Sequence, residues 1–270
     1  MEGGISRLTF WELISPPWRI TAYYAVALII TVFLAKSLSL LISQGRPGSR
    51  LAFLIAAPAL SVDAWARVRP TTADDIRRLL RKAVIVFPAV VAVYLWFPKA
   101  ISDPAIPWCL RAYAAIVPFW LLTEAIGLAT QLVFLPSNLL VPDFHYGPWH
   151  SRNLAEFWGR RWNRPFADCF RQICFQLFRR RPGPAIGLAF ALSAAWHEVL
   201  ANLPLWLVYG TNRFGSMILY FLLQAGAILV ARKYLRRFQL ASRVFLWLIV
   251  LAPAPLVLNE ATLRIFHLAH

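Results

Sequence analysis

Apolar runs of membrane-crossing length recur along this chain, and no other feature limits its fold as much. Ile20 to Ile42, Trp108 to Leu135, Pro184 to Tyr209 and Phe214 to Ala231 each approach or exceed the ~20 residues a helix needs to cross a hydrocarbon core. Ala83 to Phe97 and Val244 to about Asn259 are shorter runs of the same kind, and Leu51 to Val62 is about half a span. With 59% hydrophobic and only 15% charged residues, a soluble domain is excluded. The expected fold is all-α and polytopic: one membrane-embedded domain over residues 1–270, with about seven transmembrane helices (six to eight).

The net charge of +16 would point to nucleic acid in a soluble protein. Here the cations sit between apolar runs, so topology explains them better and no nucleic acid is expected. If Leu51 to Val62 crosses, 21 of the 28 cations fall on one side and six on the other, with Lys36 inside a span. That asymmetry predicts a cytoplasmic N-terminus and a cytoplasmic loop over Pro136 to Arg181. Within that loop Pro165 to Phe178 reads as an interfacial helix, its proline in the first turn. The T-A-D-D run at Thr72 to Asp75 reads as a helix start. Met1 to Arg19 lacks the pattern of a cleavable signal, and Phe10, Trp11 and Trp18 suit an interface. Three cysteines without a C-x-x-C pair suggest neither a disulfide framework nor a zinc site.

Two stretches carry candidate chemistry. His197 and Glu198 lie inside an apolar run, where a charged group costs ~2.5–3.5 kcal/mol on insertion scales, so a functional role is the default expectation. H-E-V-L-A is not the zinc-protease helix, because Ala201 stands where the second histidine belongs. Five histidines are too few for a di-iron cluster, His145 and His150 read as surface residues, and no metal is expected. Ser193 shares a face with His197 but has its own backbone carbonyl as the commoner partner. Glu198 points away from His197 towards Asn202 and reads as a brace to a neighbouring span. Glu124, mid-span, is expected to pair structurally with Lys36. The second stretch, F-W-G-R-R-W-N from Phe157 to Asn163, is aromatic and arginine-rich and is expected outside the spans, with Trp158 and Trp162 on one face and Glu156 paired to Arg160.

F-W-G-R-R-W-N, followed 34 residues later by H-E in an apolar helix, resembles the wax synthase branch of the membrane-bound O-acyltransferases. Pro142, Pro148, Ser151 and Leu154 suit the same pattern over about residues 136–210, while Asn153 departs from it. The resemblance implies transfer of an acyl group from acyl-CoA, a co-substrate and not a bound cofactor, to a lipophilic alcohol, with a long-chain alcohol the leading acceptor. A sterol or terpenoid acceptor, or an acetyl donor, belongs to the same family. It maps the catalytic histidine and asparagine onto His197 and Asn163, and retains Glu198 as a site residue. Chemistry agrees: a neutral imidazole can take the alcohol proton, and an amide can hold developing oxyanion charge. Arg160 and Arg161 are candidate ligands for coenzyme A phosphates, with Trp162 beside them. The setting expected is a bacterial inner membrane, or the endoplasmic reticulum if the source is eukaryotic, with membrane lipids as neighbours. The alternative of a different class is a transporter or lipid-handling protein using Lys36, Glu124, His197 and Glu198 as a polar path.

Overall fold

A computed structural model of the chain describes residues 14–43, 50–56, 59–103, 105–179 and 181–269. Six helices are long and apolar enough to cross a membrane. They are α1 (Pro16–Ile42), α2 (Ala73–Ala100), α3 (Ile116–Phe134), α5 (beginning at Pro182 and reaching Tyr209), α6 (Ser216–Tyr234) and α7 (beginning at Gln239). The remaining long helix, α4 (Arg164–Leu177), lies in the loop between α3 and α5, where a helix over Pro165 to Phe178 was expected. It turns Cys169, Ile173 and Cys174 onto Ala35, Leu60 and Ala185 of its neighbours. The architecture is that of an all-α polytopic membrane protein.

Six, not seven, is the number of spanning helices among the described residues. The stretch expected to cross at Leu51 to Val62 contains a seven-residue helix, Arg50–Ala56, and a separate four-residue helix, Val62–Trp65. At 1.5 Å per residue the longer covers only ~10 Å. Ala57 and Pro58, residues 44–49 of the Gly/Pro turn expected from Gln44 to Arg50, and Phe10 and Trp11 lie outside the described residues.

Contacts between distant segments fix which helix ends lie together. Thr21, near the start of α1, donates to the Ile265 carbonyl at 3.0 Å, and Tyr94, late in α2, donates to the Phe266 carbonyl at 2.9 Å. At the other end Ser39, late in α1, donates to Gln172 of α4 at 2.7 Å, and Arg69–Pro70, just before α2, pair antiparallel with Leu139–Leu140. The loop therefore shares an end of the bundle with the C-terminus of α1. The start of α1 lies opposite the loop, with the C-terminal segment; a shared side was expected.

The breaks inside the apolar runs follow from proline. Trp108 to Leu135, read as one span, is interrupted between Ala114 and Ile116, just ahead of Pro118, which has no N–H to give. α7 stops at Leu251, before Pro253. In α5, Pro204 follows a π turn over Glu198–Asn202, where the Leu203 N–H reaches back to the Glu198 carbonyl. Thr72 caps the start of α2 as expected: its hydroxyl accepts from the Asp75 N–H, and the Asp75 carboxylate accepts from the Thr72 N–H in return.

Candidate active site

The F-W-G-R-R-W-N segment is built on a second π turn. Asn153 caps a short helix by accepting from the Glu156 N–H at 2.9 Å, and Phe157–Arg161 then form a wide turn closed by Trp162 N–H to Phe157 O at 2.8 Å. A wide turn places residue i+5 over residue i, so Glu156 pairs with Arg161 at 2.6 Å and not with Arg160. Arg161 also donates to the Tyr146 and Gly147 carbonyls, at 3.2 and 3.3 Å. Burial alone would push the Glu156 carboxyl up, but the Arg152 N–H and the Arg161 guanidinium hold it below its ordinary value. Arg161 is thus committed to holding the loop together. Arg160 is exposed and makes no ion pair among the described residues.

The same turn separates the two tryptophans expected on one face. Trp162 stacks on Phe157, ring centroids 5.6 Å apart, and on His145, 4.3 Å apart. Trp158 points into the bundle, where it donates to Gln224 of α6 at 3.0 Å and meets Phe190, Tyr220 and Phe221. The segment is not wholly outside the spans: Phe157 is buried and Trp158 is wedged between α5 and α6. Irregular backbone at such depth is tolerated where protein surrounds it.

Asn163 ends the segment in a left-handed conformation, φ 43° and ψ 57°, which asparagine adopts more cheaply than most residues. Its backbone N–H donates to His145 Nδ1 at 3.1 Å. Nδ1 must then be unprotonated, so Nε2 carries the proton and donates to Thr123 Oγ1 at 3.0 Å, and that hydroxyl donates to the Trp120 carbonyl at 2.8 Å. Far from being a surface residue, His145 is 4% exposed. Burial and the charge of Lys82 push its pKa down to about 3, so the ring is neutral at physiological pH. The Asn163 side chain, in contrast, is uncommitted: its Oδ1 is buried and makes no hydrogen bond among the described residues.

His197 lies in α5, half-buried against Phe221 with ring centroids 4.5 Å apart. Its Nδ1 is 2.7 Å from the Ser193 carbonyl, which can only accept, so Nδ1 carries a proton. In the neutral ring Nε2 then holds a lone pair, and no hydrogen bond engages it among the described residues. The Ser193 partner is thus the backbone oxygen and not the hydroxyl, the arrangement opposite to a Ser–His nucleophile.

Glu198 is the expected brace. One carboxylate oxygen accepts from Asn202 at 2.6 Å, and the other from the N–H groups of Gly215, Met217 and Ile218 at 2.9–3.1 Å. It caps the start of α6, where a negative charge suits the exposed amides. Asn202, Ser216 and Asn259 extend this buried network to the C-terminal segment. Both Glu198 carboxylate oxygens are engaged in this bracing network, and neither makes a hydrogen bond or ion pair with the His197 ring among the described residues.

Glu124 pairs with Lys82 of α2, not with Lys36, which donates to the Leu54 carbonyl at 3.2 Å and lies over the Phe53 ring. Asn163 and His197 share no hydrogen bond among the described residues. A series of ring contacts links their surroundings: Trp162, Phe157, Trp158, Phe221 and His197, each centroid within 6.0 Å of the next. Among the described residues no group of three His, Cys, Asp or Glu gathers as a metal-ligand set. No protein-family model, curated protein or solved structure matches the chain.

Proposed function

We propose that this protein is a membrane-bound O-acyltransferase of the wax synthase type, moving an acyl group from acyl-CoA to a lipophilic alcohol. One observation carries the reading: His197, in an apolar span, has Nδ1–H fixed on the Ser193 carbonyl and leaves Nε2 uncommitted. A base held in one tautomer, in an aromatic surround, suits an alcohol too apolar to meet its base in water. Nε2 takes the hydroxyl proton as the alcohol oxygen attacks the thioester carbonyl. The carbon–sulfur bond then breaks and the imidazolium returns the proton to the departing thiolate. The unspent Asn163 amide, at the loop end, orients the thioester or holds oxyanion charge. Among the described residues, six spans leave 19 cations at the loop end and five at the other, and the positive-inside rule assigns the richer end to the cytoplasm, where acyl-CoA is made.

A transporter reading is disfavoured by the separate commitments of its four polar residues: Lys36 to Leu54, Glu124 to Lys82, Glu198 to α6 and His197 to Ser193. The test is direct. Purified protein is incubated with labelled palmitoyl-CoA and a panel of long-chain, sterol and terpenoid alcohols, and the lipids are separated. Ester formation is expected, falling roughly 10²–10⁴-fold in His197→Ala with the protein still folded. Near-normal turnover in that variant would remove His197 from the chemistry, and absence of any ester with the whole panel would count against the enzyme.

A further inference from the structure

The loop end of the bundle distributes its charge unevenly. Asp74, Asp75, Glu124, Asp143, Glu156 and Asp168 each face an arginine or lysine, drawn from Arg67, Arg69, Arg77, Arg78, Lys82, Arg161 and Arg171. From Arg232 to Arg243 there are five cations and no acid. None of the ion pairs among the described residues reaches Arg232, Lys233, Arg236, Arg237 or Arg243.

Two of these cations border a cavity. Arg232 and Arg236, with Asn153 and Ser242, line a cleft of about 480 Å³ floored by Leu154, Ala155, Ile228 and Ala231. Its size falls in the ~300–1,000 Å³ range of small-molecule sites. α7 contributes Ser242, whose hydroxyl donates to the Leu235 carbonyl at 2.9 Å, so the two guanidinium groups are the charged donors of the cleft. The Asn153–Ala155 segment, which leads directly into the Phe157–Asn163 block, also lines the cleft. Guanidinium forks match the planar spread of phosphate oxygens, and a floor of Leu, Ile and Ala accepts an apolar group attached to that phosphate.

We infer that the cleft between Asn153–Ala155, α6 and α7 is a binding site for a phosphate group on an amphiphilic or nucleotide-bearing molecule, held by Arg232 and Arg236. Two sources share this chemistry, the headgroup of an anionic phospholipid and the nucleotide phosphates of an acyl donor. The inference stands whether or not acyl transfer is the reaction, because a phospholipid would occupy the cleft equally well.

The experiment uses the full chain in a neutral detergent, with binding followed by thermophoresis. Dihexanoyl phosphatidic acid is compared with dihexanoylglycerol, and adenosine 3′,5′-bisphosphate with adenosine. Saturable binding is expected for at least one phosphate compound and not for its phosphate-free partner, weakening as salt rises. Arg232→Gln with Arg236→Gln should weaken it at least tenfold. Lys233→Gln with Arg237→Gln, which removes the same charge from residues that do not line the cleft, should change it less than about twofold. Preference for the phosphatidic acid assigns a lipid headgroup, and preference for the bisphosphate assigns the donor. Equal loss in both variant pairs would reduce the site to a diffuse basic surface, and no preference for either phosphate compound would overturn it. Each variant is checked for an unchanged melting temperature, so that lost binding is not lost fold.

Discussion

His145 offers the sharpest test of the site geometry, because its two ring nitrogens do different things and different residues can imitate each. Nδ1 accepts the Asn163 N–H at 3.1 Å and Nε2–H donates to Thr123 at 3.0 Å. Asparagine at 145 puts an oxygen near the Nδ1 position and keeps the acceptor. Glutamine reaches towards Thr123 and leaves the Asn163 amide without a partner. Orphaning a buried N–H costs about 1–3 kcal/mol. His145→Gln should therefore be less stable than His145→Asn by about that amount, although glutamine fills more of the space. It should also lower kcat more, with little change in the KM for donor, since the backbone of Asn163 loses its fixed position.

The pH dependence supplies a second and independent readout. The unfolded ring titrates near its ordinary 6.5 and the folded one at about 3. Between those values the unfolded chain binds the extra proton, so stability contributed by neutral His145 is complete above pH 6.5 and declines as pH falls. The slope is about 1.4 kcal/mol per pH unit, or about 2 kcal/mol lost by pH 5. Carboxylates contribute mainly below their own ordinary range, which leaves pH 5 to 6.5 to the histidines. His145→Asn should remove this portion of the slope. Unfolding can be followed with a thiol-reactive fluorophore in a Cys109→Ser background, since Cys169 and Cys174 are buried on α4, which begins beside Asn163. Equal slopes in the parent and His145→Asn, or glutamine outperforming asparagine, would refute the assigned tautomer and partner.

Cysteines placed at Ser15 and Arg160 should be labelled from opposite faces of sealed vesicles; labelling from one face would restore a seventh crossing. Glu198→Gln should destabilise the protein by about 2–3 kcal/mol, as α6 loses charge-assisted bonds to its first amides, while turnover per folded molecule changes little; a turnover loss like that of His197→Ala, without loss of stability, would return Glu198 to the chemistry. Cys109 is exposed and should react readily with maleimide, whereas burial pushes the Cys169 thiol up to about 12 and the Cys174 thiol to about 11, so both should stay unmodified until the protein unfolds.

The membrane class, the loop helix, the Thr72 cap and the bracing role of Glu198 were legible because each rests on a local rule: run length, proline at a first turn, a capping box, an i,i+4 pair. The two π turns were not. A period of 3.6 puts Glu156 beside Arg160 and Trp158 beside Trp162, and one inserted residue in the turn exchanges both partners. His145 was missed for a different reason: its partner is a backbone amide 18 residues away, which no spacing rule registers. The nearest local sign is Asn163 itself, a residue tolerant of left-handed backbone placed just before Arg164 and Pro165, where a helix begins.

Charge counting shows where a sequence argument reaches its limit. Removing the crossing at Leu51 to Val62 moves Arg7 and Arg19 to the sparse side and Arg46 and Arg50 to the rich side, and the split is again 21 to six. The positive-inside rule is blind to this exchange, because the two alternatives differ only by a swap of two arginines for two. The contacts of Thr21 with Ile265 and of Ser39 with Gln172 break the tie, since one straight helix cannot present its start to the loop end and still meet both. Topology here is carried by packing, and the arginines follow it.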